Sequence, residues 1–294
     1  MGRLSQDQQA SFGESHGPPP PYAPATTAPQ HAPPHQQQHY QKQQPPQQIN
    51  RQFPPAFNLY NSSAFSGRHY TIGEHQATPL YTVSLHSGFS GQPDVVLHAG
   101  PSKDAPMLAA VDGKAFSRGG TITLPPLPGR GAGNGVEEAL TSSGGWPTTK
   151  LGFTVETGTG PGAERREAFE WRHSHADEIG HLGGRSRGWK LVRLASDAPA
   201  GMHVGGSSFV GGGPQSSDGK EVVAVWASGS MSLTKAMHFA FLGSGAGGVL
   251  GERWAVIAVV SALHIWNLER KQRNSGAAGG AAGGAAGAAG AAAF

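Results

Sequence analysis

Residues 238–271 read HFAFLGSGAGGVLGERWAVIAVVSALHIWNLERK. A short apolar run leads into Gly243–Gly248, which fits G-x-G-x-x-G, and a segment of helical character follows. Three readings compete: a dinucleotide-binding turn, a membrane span, and a buried helix. A dinucleotide fingerprint needs a further strand after its helix, whose acidic end meets the ribose. Here only an Ala/Gly tail follows Arg273, so the glycines read as a turn that swings a strand sharply into a helix.

From Trp254 to Leu268 the run is broken only by Ser261, His264 and Asn267. These residues extend about 22 Å as a helix, short of the roughly 30 Å hydrocarbon core of a bilayer. Glu252 and Arg253 close the run on one side, and Glu269, Arg270 and Lys271 on the other. The sequence therefore argues against a transmembrane span. A surface helix would set an apolar stripe against a charged face; this one is apolar almost all round. Its Val and Ile residues are mediocre helix formers, so burial must hold it. Burying ten such side chains at about 1.5–3 kcal/mol each gives a large gross driving force, most of it offset by chain entropy. In a β protein, the sheet supplies that burial by wrapping around the helix.

The preceding residues supply the sheet. Nine runs alternate or are wholly apolar: LYTVSLH (80–86), DVVLHA (94–99), PMLAAV (106–111), GTITL (120–124), LGFTVET (151–157), EAFEWRHS (167–174), GWKLVRL (188–194), EVVAVWA (221–227) and MHFAFL (237–242). Turns rich in Gly, Pro and Ser separate them, as strands require. Residues 125–149 and 197–219 read as surface insertions. Residues 1–77, rich in Pro, Gln and His, cannot bury enough apolar surface to order themselves, so the sequence predicts a disordered tail. Residues 274–294 form a low-complexity Ala/Gly tail in which recurring glycines oppose helix. The expected domain is 78–273, with its helix over about 251–272.

These elements, and the stretches PLYTVSLHSGFSG, VVLHAGPSKDAPMLAAV, FEWRHS and FLGSGAGGVLGERWAVIAVVSALHIW, resemble the tubby C-terminal-like superfamily, which includes tubby, LURP-one-related proteins and phospholipid scramblases. The likeness is to an uncharacterised fungal branch and covers 78–271. It implies a mainly β fold: a closed antiparallel barrel of about twelve strands around a buried hydrophobic C-terminal helix. Two or three strands would then lie in the glycine-rich insertions. It also implies phosphoinositide binding at a membrane surface, or, alternatively, scramblase-like lipid handling.

Chemistry-bearing patterns are sparse. With no cysteine, disulfides, thiolate metal sites and cysteine nucleophiles are excluded. The net charge of +3 is too dilute to imply nucleic acid. G-x-S-x-G, H-E-x-x-H and G-x-x-x-x-G-K-[ST] are absent, so the expectation is a non-enzymatic protein without cofactor. In HSHADEIGH (173–181), His173 and His175 share a strand face, a spacing that suits a metal. Phe169 and Trp171 lie on that same face, so we read it as a strand end rather than a metal site. Residues 185–193 carry four cations and no acid: Arg185, Arg187, Lys190 and Arg193 are candidates for an anionic phospholipid headgroup. Pro19, Pro20 and Tyr22, within PPPPY, form the P-P-x-Y ligand of WW domains, whose polyproline helix is preset. The opening residues lack the apolar core of a signal peptide, so the expected location is intracellular, peripheral to the plasma membrane.

Overall fold

The computed structural model describes residues 52–289, except 63–67, 88–89, 115–116, 126–134, 146–147, 159–164, 176, 181, 183–186, 195–213 and 230–231; for Glu178 and 277–289 it describes backbone alone. The chain divides into Met1–Gln47 and Gln48–Phe294, and only the second unit contains described residues.

The described strands are β1 (Ala56–Asn61), β2 (His69–Gly73), β3 (Tyr81–Leu85), β4 (Val95–His98), β5 (Met107–Gly113), β6 (Gly120–Leu124), β7 (Val136–Ser143), β8 (Lys150–Thr157), β9 (Arg165–Ser174), β10 (Gly188–Arg193), β11 (Val222–Ser228) and β12 (Lys235–Phe241). Each pairs antiparallel with its neighbours in sequence, and β12 returns to β1, closing the barrel. Closure gives each described strand a paired neighbour on both sides. Three helices follow the same order: α1 (Asp177–Gly180), α2 (Gly243–Gly247) and α3 (Glu252–Ala289).

All nine expected strands are present, and the fold is the closed barrel anticipated above. Two boundaries need correction. β1 and β2 lie within residues 1–77, which were expected to be disordered; Phe57, Leu59, Tyr70 and Ile72 alternate inward and join the core. β7 lies in the first insertion. The helix also runs past 272, to Ala289. A helix already anchored by its buried half has met its nucleation cost, so alanines extend it cheaply.

α3 fills the barrel. Trp254 and every side chain from Val256 to Asn267 are buried, surrounded by Phe153, Phe169, Trp171, Phe239 and others on the strands. Its narrow polar strip is met by the wall. Ser261 Oγ accepts from Trp171 Nε1 at 2.9 Å and donates to the Ala258 carbonyl. His264 Nε2 donates to the Arg118 carbonyl at 3.2 Å. Glu269, where the helix leaves the barrel, accepts from Trp189 Nε1 at 2.7 Å. No described helix is long and apolar enough to cross a membrane.

The glycine turn steers the chain from the wall to the axis. Gly251 has φ +86°, a left-handed conformation open to glycine, and it approaches the Gly158 carbonyl. At Gly245, a Cβ would meet the Val223 carbonyl and the Trp254 ring. The sequence G-x-G-x-x-G thus serves close packing at the entry end of the barrel. That end collects the start of α3 with the ends of β10 and β12; the exit end collects the end of the buried helix with the starts of β10 and β12.

Candidate functional site

With the interior occupied, the chemistry lies in the charged groups of the wall and its ends. Three clusters stand out.

The first concerns the cationic stretch of β10. Arg187 precedes the strand at the exit end and is exposed. Lys190 lies at mid-strand, half-buried, opposite Arg172 on β9. Arg193 closes the strand at the entry end. It was expected to face a headgroup and instead points inward, 3% exposed. At about 3.3 Å per residue, Arg187 and Arg193 stand roughly 20 Å apart, so these cations do not converge. Arg185 and the tail residues Pro19, Pro20 and Tyr22 lie outside the described residues.

Arg193 belongs to a second cluster, a buried polar network at the entry end. Its Nε and Nη2 donate to both oxygens of Glu167, at 2.6 and 2.8 Å. Its Nη1 lies 3.6 Å from Glu221 Oε2. Thr157 Oγ1 donates to Glu167, and the backbone N and Oγ of Ser244, in α2, donate to Glu221. Burial alone would push the Glu167 carboxyl up, but the Arg193 guanidinium outweighs it and holds the group below its ordinary value. The network thus ties β9, β10 and β11 to the turn that delivers α3. Sequence reading missed it. Its signal was parity: Glu167 shares a face with Phe169 and Trp171, and Arg193 with Trp189 and Leu191.

The third cluster fills a seam. β7 and β8 pair only through Thr141–Ser143 and Lys150–Gly152, although β7 pairs with β6 from Val136 and β8 pairs with β9 to Thr157. Val136–Leu140 and Phe153–Thr157 therefore lack a shared ladder. Arg166, on the outer face of β9, spans the gap. Its Nη1 and Nη2 donate to the two oxygens of Glu138 at 2.9 and 2.8 Å, and Nη1 also donates to Glu156 at 2.6 Å. Nη2 reaches the Thr154 carbonyl of β8 at 3.4 Å. Arg253, in the first turn of α3, donates to Glu156 and to the Pro125 carbonyl. A cleft of about 370 Å³ lies here, lined by Thr141, Gly152, Thr154, Arg166, Ala168 and others. The charges in it are internally matched, so it offers no unbalanced group to a ligand.

The paired histidines do not converge. His173 packs its ring against Trp189 at 3.7 Å, and burial lowers its pKa below the ordinary value, while His175 is exposed. Among the described residues, no group of three or more His, Asp or Glu side chains is placed to hold a metal. Comparison with known protein families, curated proteins and solved structures finds no match. The described architecture, twelve antiparallel strands closed around a C-terminal helix, is consistent with a tubby-like fold.

Proposed function

We propose that this chain is a non-enzymatic member of the tubby C-terminal-like superfamily that acts at the cytoplasmic side of a membrane, binding an anionic phospholipid from its outer surface. The observation that carries this reading is the filled interior. Most of the length of α3 within the barrel is buried by the wall, so a ligand must meet the outside of the barrel or its ends. There, exposed Arg187 and half-buried Lys190 supply cations for a phosphate, each worth about 1 kcal/mol near an anionic surface. The Pro19-Pro20-x-Tyr22 segment would recruit a WW-domain protein to that membrane.

Sedimentation of the full chain with vesicles that contain or lack a phosphoinositide tests the first part. Headgroup-dependent binding without movement of labelled lipid between leaflets is expected; transfer of the label would favour a scramblase-like protein instead. For the tail, a WW-domain array should retain the wild type and lose Tyr22→Ala. Equal retention would remove that part of the proposal.

A further inference from the structure

We infer that the exit end of the barrel is the face laid against an anionic bilayer, with Leu233 as its inserting tip. This rests on the membrane reading above and names the surface that performs it.

The two ends differ in charge. Among the described residues, the exposed cations at the exit end are Arg68, Lys114, Arg187 and Arg273, against the exposed carboxylates Asp112 and Asp177. At the entry end that cationic excess is gone. Glu74, Asp104, Glu137 and Glu252 are exposed there, against Lys103, Arg165 and Arg166. An anionic sheet of lipid therefore attracts the exit end more than the entry end, and that attraction is felt within a Debye length.

Charge alone would suit any acidic partner. Leu233 selects the bilayer. It lies in the connection from β11 to β12 at the exit end and is 100% exposed. It is not left loose there. Ser232 Oγ accepts from the backbone N of Lys235 at 2.9 Å and of Thr234 at 3.3 Å, and the Thr234 carbonyl accepts from Asn61 N on β1. This turn is pinned to the wall and presents the leucine at its apex. A fully exposed leucine forgoes the stabilisation that burial would return. Apolar tips set among cations suit the headgroup and acyl boundary of a membrane.

Among the described residues the face is defined by Leu233, Arg68, Lys114 and Arg187.

The test uses the full chain and phosphatidylcholine vesicles with or without phosphatidylserine. The triple variant Arg68→Glu, Lys114→Glu, Arg187→Glu should weaken binding to the anionic vesicles by about a hundredfold or more. Leu233→Ser should weaken it by about tenfold, including at salt concentrations that screen the charges. A control at the other end, Lys103→Glu with Arg165→Glu, should bind as the wild type does. Melting curves of all variants should match the wild type, because these side chains are exposed. If the wild type fails to bind anionic vesicles, both the membrane reading and this face fall. If it binds, but the triple variant and Leu233→Ser bind equally well, the face is wrong and the membrane reading stands. Equal competition by a soluble acidic polymer, with no contribution from Leu233, would show a protein-like partner and overturn the proposal.

Discussion

Arg166 reaches from the outer face of β9 to Glu138, whose side chain shares the inward face of Ile122, and its two bonds to that carboxylate cross a gap where β7 and β8 have stopped pairing. One guanidinium thus stands in for several missing ladder bonds. Exposed ion pairs contribute little, but the Glu138 side chain is only 8% exposed. Arg166→Ala leaves that carboxylate buried without its cation, and we expect a loss of about 1–3 kcal/mol in urea unfolding. Amide exchange should quicken along Val136–Leu140 and Phe153–Thr157 and not at β3–β4.

Arg193 holds two buried carboxylates. Removing it in Arg193→Ala should cost about 3–5 kcal/mol at neutral pH, because the enclosed carboxylate of Glu167 loses its cation. The pH dependence gives the role a signature. In the wild type the pKa of Glu167 is depressed, so its contribution is present above the carboxylate's unfolded value and is lost as pH falls through the lower folded value. In the variant, burial without a cation raises the carboxyl pKa instead, and protonation relieves the cost. The stability gap between the two proteins, measured by denaturation across acidic pH, should narrow as pH falls. A constant gap would refute this account.

His264 sits in the helix with Nε2 bonded to the Arg118 carbonyl and Nδ1 buried without a partner. Burial lowers its pKa from the ordinary 6.5. A base whose folded pKa is depressed costs nothing above its unfolded value and destabilises as pH falls below it. The melting temperature should therefore begin to decline near pH 6.5, well before the carboxylates titrate. His264→Gln should flatten that upper part of the curve while leaving the acid limb in place.

Ser261 supplies the acceptor for Trp171 Nε1 across the helix–wall contact. Ser261→Ala orphans a buried indole N–H, and about 1–3 kcal/mol should be lost. Adding Trp171→Phe removes the donor too, so a double-mutant cycle should reveal coupling between the two positions. Strict additivity would mean that the bond contributes nothing.

Gly245→Ala should destabilise by about 1–3 kcal/mol through overpacking, since its Cβ would meet the Val223 carbonyl and the Trp254 ring. Gly247→Ala, with open space around it, should be close to neutral in the same melting assay.

The helix and nine strands were legible because their side chains repeat with a clear rule: apolar all round in one case, alternating in the other. β1 and β2 obey that alternation too, but FNLYN and HYTIG are short and follow a long Pro- and Gln-rich stretch, whose composition overwhelms a local signal. β7 offers little apolar pattern. Its inward positions Val136 and Leu140 are apolar, but between them Glu138 is a carboxylate that only a distant arginine makes tolerable. The same limit applies to Arg193. A cation in a run of cations reads as surface, and its inward turn depends on Glu167 and Glu221, which the chain supplies from other strands. Sequence spacing reports neighbours along one strand. Partners brought together by closure of the barrel leave no such trace.

The greasy rod at the centre is made after every described strand. All twelve staves leave the ribosome before the residues they must enclose, and β1 must wait for β12 before its second neighbour exists. Early strands have no dry surface to pack on until Trp254–Trp266 emerges, so assembly is non-local and late, the regime in which folding is slow and intermediates aggregate. A nascent chain halted before Glu252 is thus a set of half-greasy ribbons with nothing to close upon. Its most dangerous moment lies between the completion of β12 and the arrival of that rod.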